Sequence, residues 1–203
     1  MRPLILLAAL VAAAALVPPT AAQAQSPGGD GAERYFLGIP PSWSEASRHA
    51  APGAEVVVYV PQGQTARDWT DMLTVQVFRG MTALPAESFY ERTRRAYQET
   101  CADARAGTMQ TGLSNDYPAA FWVLGCGRHG AAGMGETSFF RLVQGDRGLY
   151  LAQRAWRTAP YGADEAPPVS PDQQQEAMRL LGSFGVCDPS VAGHPCPATA
   201  NGR

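Results

Sequence analysis

Residues 54–60, AEVVVYV, are apolar at odd and even positions alike. Successive side chains of a strand point to opposite faces, so such a run suits the middle of a sheet. The next apolar run, DMLTVQVFRG (71–80), alternates instead. Leu73, Val75 and Val77 fall on one face, Thr74 and Gln76 on the other. Two such strands in tandem need partners and cover from the rest of the chain.

The remaining segments supply both. RYFLGIPPSW (34–43) reads as a strand ended by Pro40 and Pro41. A helix is expected from about Pro85 to Cys101, with Pro85 in the first turn, where its missing N–H has no intrahelical partner to lose. Phe89, Thr93, Ala96, Tyr97 and Thr100 recur at helical spacing as its inner face, and Glu91 and Arg95 form an exposed pair four residues apart. AGTMQTGL and AAFWVLGCG follow as strands, then TSFFRLV and LYLAQRAWR as a hairpin joined through QGDRG. Ser170-Pro171-Asp172-Gln173 is a capping box opening a second helix, with Ala177, Leu181 and Phe184 turned inward. The order predicts an α+β fold, a largely antiparallel sheet of about six to seven strands flanked by two main helices. Residues 34–187 form a single domain in this reading, followed by a tail, 188–203.

The order of FLGIPPSW, VVVYVP and LTVQVF, then AESFYERTRRAY, then GLYLAQRAW and a final helix, resembles the PsbP-like family of small α/β/α sandwich proteins over residues 34–186. The segment VPQGQTARDWTDMLTVQ also resembles a motif of small exported bacterial proteins. Neither resemblance carries a catalytic residue to this chain. The first implies an accessory or binding role, because many members of that family attach to larger assemblies.

Arg2, the apolar run Leu4–Val17, the break at Pro18-Pro19 and the small-x-small triplet Ala22-Gln23-Ala24 have the form of a signal peptide, residues 1–24. The run falls short of the ~20 residues a membrane span needs. The mature chain is expected to begin at Gln25, with 25–33 a flexible leader, and to be periplasmic or secreted with no membrane attachment. In that oxidising setting Cys101, Cys126, Cys187 and Cys196 read as disulfides. Cys187 and Cys196 enclose the short loop DPSVAGHP and are expected to pair, leaving Cys101 with Cys126. The competing reading holds a soft metal at Cys187, His194 and Cys196, with Cys126 and His129 as a second cluster, but the spacing fits no common zinc pattern. With 16 basic and 18 acidic residues and no basic stripe, nucleic acid is not an expected partner. Every basic residue is Arg, which excludes lysine chemistry.

Familiar catalytic patterns fail on context. GCGRHG (125–130) matches G-x-G-x-x-G after a strand, yet more glycine and another strand follow where a helix must begin. LGSFG (181–185) has Leu181 where the nucleophile elbow needs glycine, so Ser183 reads as a helix-end residue. His49, His129 and His194 are the available imidazoles, and they assemble no triad. Asp68 with Asp71, and Asp164 with Glu165, read as solvated acids at turns. No cofactor is expected. The knot between the two central strands, PQGQTARDWT, reads first as a corner: Pro61 stops pairing, Gly63 turns, Thr65 and Asp68 open a helical turn, and Trp69 folds over the sheet edge. Gln62, Gln64 and Arg67 have no such duty in this reading and, with Trp69, are the candidate contact residues. The chain is thus expected to be a non-catalytic binding or accessory protein for a protein or small-molecule partner. A hydrolase with a dispersed site, or a metal-handling protein, is the alternative.

Overall fold

The computed structural model describes residues 32–130 and 133–198. The expected signal peptide and most of the expected leader lie outside them. Ten strands and two helices follow in order: β1 (Arg34–Phe36), β2 (Trp43–Ala51), β3 (Ala54–Pro61), β4 (Asp71–Arg79), α1 (Ala86–Thr100), β5 (Cys101–Ala106), β6 (Gln110–Ser114), β7 (Tyr117–His129), β8 (Gly135–Gln144), β9 (Gly148–Thr158), α2 (Pro171–Gly182) and β10 (Gly185–Cys187). The large sheet runs β2-β3-β4-β9-β8-β7-β5, with β6 also on β7, and every pairing is antiparallel. β1 and β10 form a separate two-stranded ribbon. The α+β expectation holds, with eight strands in the large sheet.

The extra strands have identifiable causes. β2, WSEASRHAA, is polar and mostly exposed, so hydrophobic alternation gave no sign of it. AGTMQTGL is divided between the end of β5 and β6, and both lie along one edge of the long β7: β6 against 117–121, β5 against 124–129. The β6–β7 turn places Asn115 and Asp116 at positive φ (52° and 63°), the backbone a two-residue hairpin requires.

The two helices take opposite faces. Through Ala86, Phe89, Tyr90 and Tyr97, α1 packs on Trp122, Leu124, Phe140, Leu142, Leu149 and Leu151. The expected inner face of α1 needs correcting, since Ala96 and Thr100 are exposed, and Glu91 pairs with Arg94, not Arg95. Pro85 is the residue before the helix rather than in its first turn. On the other face, Ala177, Leu180 and Leu181 of α2 join Val57, Leu73, Val75, Ala152 and Trp156. The capping box forms as expected, with the Gln173 amide donating to Ser170 Oγ at 3.2 Å and the Ser170 amide to Gln173 Oε1 at 2.8 Å. Phe184 is buried just past the helix.

Both ends of the described chain are tied in. Glu33, placed by sequence in the leader, is 2% exposed. Its carboxylate accepts the Asp146 and Arg147 amides (2.6 and 3.0 Å) and the Tyr150 hydroxyl (2.9 Å). It sits where a side chain on Gly145 would stand, so the β8–β9 turn needs that glycine. The tail begins with buried Asp188, whose carboxylate accepts from Ser190, and is closed by the Cys187–Cys196 disulfide.

Candidate functional site

The knot after β3 is a built corner. Thr65 Oγ1 accepts the Asp68 amide at 3.0 Å while the Thr65 amide donates to the Asp68 carbonyl at 3.0 Å, a reciprocal turn without helix. Trp69 is buried against Val60 and Ala155, flanked by Ala46, Val58 and Met72, and the Arg157 guanidinium lies 4.2 Å from its ring centre. Arg157 also donates to the Arg67 and Trp69 carbonyls. Gln64 has a duty the sequence did not disclose: Oε1 accepts the Thr70 amide (2.7 Å) and Nε2 donates to Thr70 Oγ1 (3.0 Å), stapling the knot shut. Of the four candidate contact residues, the side chains of Gln62 and Arg67 face solvent, Gln64 holds the turn, and Trp69 is a wall.

The cysteines pair as expected, Cys101–Cys126 and Cys187–Cys196. Cys101, Cys126 and His129 bring ligand atoms within 4.8 Å of one another, but the two sulfurs are bonded to each other and offer no thiolate. His194 is likewise engaged: its ring stacks on Tyr117 at 3.7 Å, and Nδ1 donates to the Asn115 carbonyl at 2.8 Å. Ser183 Oγ donates to the Leu180 carbonyl, as a helix-end residue does. The glycines of GCGRHG make room for a loop rather than a phosphate. β7 runs unbroken through Cys126 to His129, and a Cβ on Gly125 would meet the Tyr161 hydroxyl at 2.7 Å, one on Gly127 the Tyr161 carbonyl.

Two clusters escaped the sequence reading. In the first, Arg154, 2% exposed, reaches Asp71 (Nε–Oδ1 3.2 Å, Nη2–Oδ2 2.8 Å) and Glu176 Oε1 on α2 (3.0 Å). Its guanidinium lies over Trp156 at 4.5 Å and Trp43 at 5.2 Å. Burial pushes the Asp71 carboxyl up, although Arg154 pulls it down. This triad joins residues far apart in sequence and locks α2 to the sheet. No local spacing could have shown it.

The second is a groove of about 220 Å³ beside the C-terminal half of α2. Its floor is Gln110, Ala119, Phe121 and Arg141, and Met178 and Gly182 line its helix side. Met178 is half exposed, and Gly112 has open space where a side chain would stand. Arg141 Nε is buried with no acceptor among the described residues, and burial pulls the guanidinium below its ordinary range. The sequence signal was available: in TSFFRLV, Phe139, Arg141 and Val143 share one face, and a lone charge there interrupts an otherwise apolar stripe.

An antiparallel sheet with a helix packed on each face is an α/β/α sandwich. Solved structures of similar fold include the Ran-binding protein Mog1p of Saccharomyces cerevisiae, 12% identical, aligned over 84% of this chain and 98% of that one with a TM-score of 0.50. They also include cyanobacterial PsbP (CyanoP) from Synechocystis, 12% identical over 83% of this chain and 94% of that one, with a TM-score of 0.49. At this identity the likeness concerns the fold alone. No family model and no curated protein matches the sequence.

Proposed function

We propose that this is an exported, non-catalytic binding or accessory protein that engages its partner at the groove between α2 and β6. The observation carrying this reading is Arg141, a cation in the floor of a mixed polar and apolar groove, with its Nε buried without an acceptor and no counter-charge among the described residues. Such a group gains by meeting an acceptor from outside. Export is supported by the signal-like pattern at 1–24 and by two disulfides using all four cysteines, the state an oxidising compartment maintains. The fold is shared with a protein whose name records Ran binding, but fold alone transfers no function, so the groove's own chemistry bears the weight.

The test is made in cells. A photo-crosslinking residue replacing Gln110 should give one discrete adduct in the periplasmic or secreted fraction, and the same residue at Gln98 on the outer face of α1 should give none. Mature protein from that fraction should begin at Gln25. No adduct at Gln110 overturns the binding reading, and protein still beginning at Met1 overturns export.

A further inference from the structure

Among the described residues three strands of the large sheet, β2, β5 and β6, have a strand on one side only, and they are not alike. Edge strands present unpaired N–H and C=O groups, and proteins usually guard them with charges, bulges or prolines. β2 carries Glu45, Arg48 and His49 and a bulge between Glu45 and Ser47. β5 carries Asp103, at φ 57° and skipped by the pairing register, and Arg105, which donates to the Gly162 and Ala163 carbonyls of a neighbouring loop. β6, QTGLS, has no charge, no proline and no register break; it is largely exposed, and β7 is its sole strand partner among the described residues. Leu113 on it is 68% exposed. The unguarded edge borders the groove: Gln110, Phe121 and Arg141 are successive cross-strand partners on β6, β7 and β8, on the face that α2 covers.

Building on the binding reading above, we propose that β6 accepts an extended segment of a partner protein as an added strand, and that an Asp or Glu side chain of that segment pairs with Arg141. Strand addition satisfies the free backbone of β6 and places alternate side chains of the incoming segment over the groove. An antiparallel or parallel neighbour of β6 lies about 4.8 Å beyond it and so about 14 Å from β8, too far for its own side chains to meet Arg141; the acid is therefore carried by the residues that continue the added strand past Gln110 and turn into the groove beside α2. A second copy of this chain fits poorly. β6 carries no acid, so pairing two copies edge to edge would leave both Arg141 guanidinium groups without a counter-charge.

The test uses the mature, disulfide-bonded protein as bait for a random twelve-residue peptide library. Selected peptides should share an Asp or Glu next to an alternating apolar run. Replacing that acid by Asn or Gln, or Arg141→Gln in the protein, should weaken binding about tenfold or more, and the two changes together little further, because they remove one charge-assisted pair. Binding should slow hydrogen exchange at amides within 110–114 and leave those of β2 unchanged. The proposal is overturned by selected peptides without a shared acid, by affinity indifferent to Arg141→Gln, or by protection elsewhere. Dimerisation through β6, or protection of β6 in the free protein that disappears when residues 25–31 are removed, would also overturn it by giving the edge a different occupant. A Gln110 adduct whose partner segment holds no acid refutes this proposal while leaving the binding reading intact; absence of any adduct refutes both.

Discussion

Trp69→Ala tests whether the knot between β3 and β4 is architecture. A Trp side chain buries about 150–250 Å², worth about 4–6 kcal/mol at 25 cal/mol/Å², which is a ceiling because the unfolded chain is itself partly compact. Trp69 approaches that ceiling, since it is 8% exposed and closes over Val60 and Ala155. The neighbours Ala46, Val58 and Met72 can relax inward only partly, so truncation should cost about 3–5 kcal/mol. Arg157 would lose its ring but keep its two carbonyl bonds, so the loss should stay within that range. For a chain of this size the melting midpoint should drop by about 6–20 °C. The assay is urea unfolding followed by circular dichroism, beside Gln62→Ala and Arg67→Ala, each expected within about 0.5 kcal/mol of wild type because its side chain is exposed. A Trp69→Ala protein that loses less than about 1 kcal/mol would refute the corner, because a ring covered this completely cannot be removed so cheaply.

Two further outcomes follow from the ends of the folded chain. Glu33→Ala should cost about 2–4 kcal/mol in urea unfolding, since it strips the acceptor from two turn amides and the Tyr150 hydroxyl, and a loss below about 1 kcal/mol would show that water replaces the carboxylate. Hydrogen bonds from Ser190 hold the Asp188 carboxyl below the ordinary carboxylate range, with Arg147 adding to the effect. A depressed folded value means stability that is present above the unfolded pKa and lost as pH falls through the folded one. Asp188→Asn should therefore destabilise by about 1–2 kcal/mol at pH 7, and the gap to wild type should close as pH falls through the depressed Asp188 value; a gap constant with pH would remove the carboxylate charge as its source.

Where burial and local geometry coincide with residue type, the sequence was legible. Val75 and Val77 alternate with Thr74 and Gln76 and are buried as expected, and Ser170 through Gln173 form the cap their spacing implies. β2 was hidden because an exposed edge strand needs no apolar face, only a partner with free backbone. Gln64 was misread because its two bonds go to Thr70, six residues on, a closure that depends on the knot's path rather than on any local motif. The Asp71–Arg154–Glu176 triad was invisible for the same reason on a larger scale, since β4, β9 and α2 meet only when the sheet is assembled.

The groove itself follows from dimensions. α2 has 12 residues, so it is about 18 Å long and about 10 Å wide. The path from β2 to β5 crosses seven strands at about 4.8 Å spacing, about 29 Å between the outermost two. One such helix cannot cover that face, and α2 packs over β8 and β9, with Tyr35, Phe184 and Val186 from the β1–β10 ribbon region adding to the same core. The strip left over lies at β6 and β7. A fold that needed only to seal this strip would do so with an apolar residue at position 141, matching Phe139 and Val143 on the same face of β8. An arginine there costs desolvation without an internal partner, and the adjoining edge lacks the charges that guard β2 and β5. Each departure alone would be a local flaw. Side by side, they give an incoming segment both a backbone to pair with and, where it turns into the groove, a cation to neutralise.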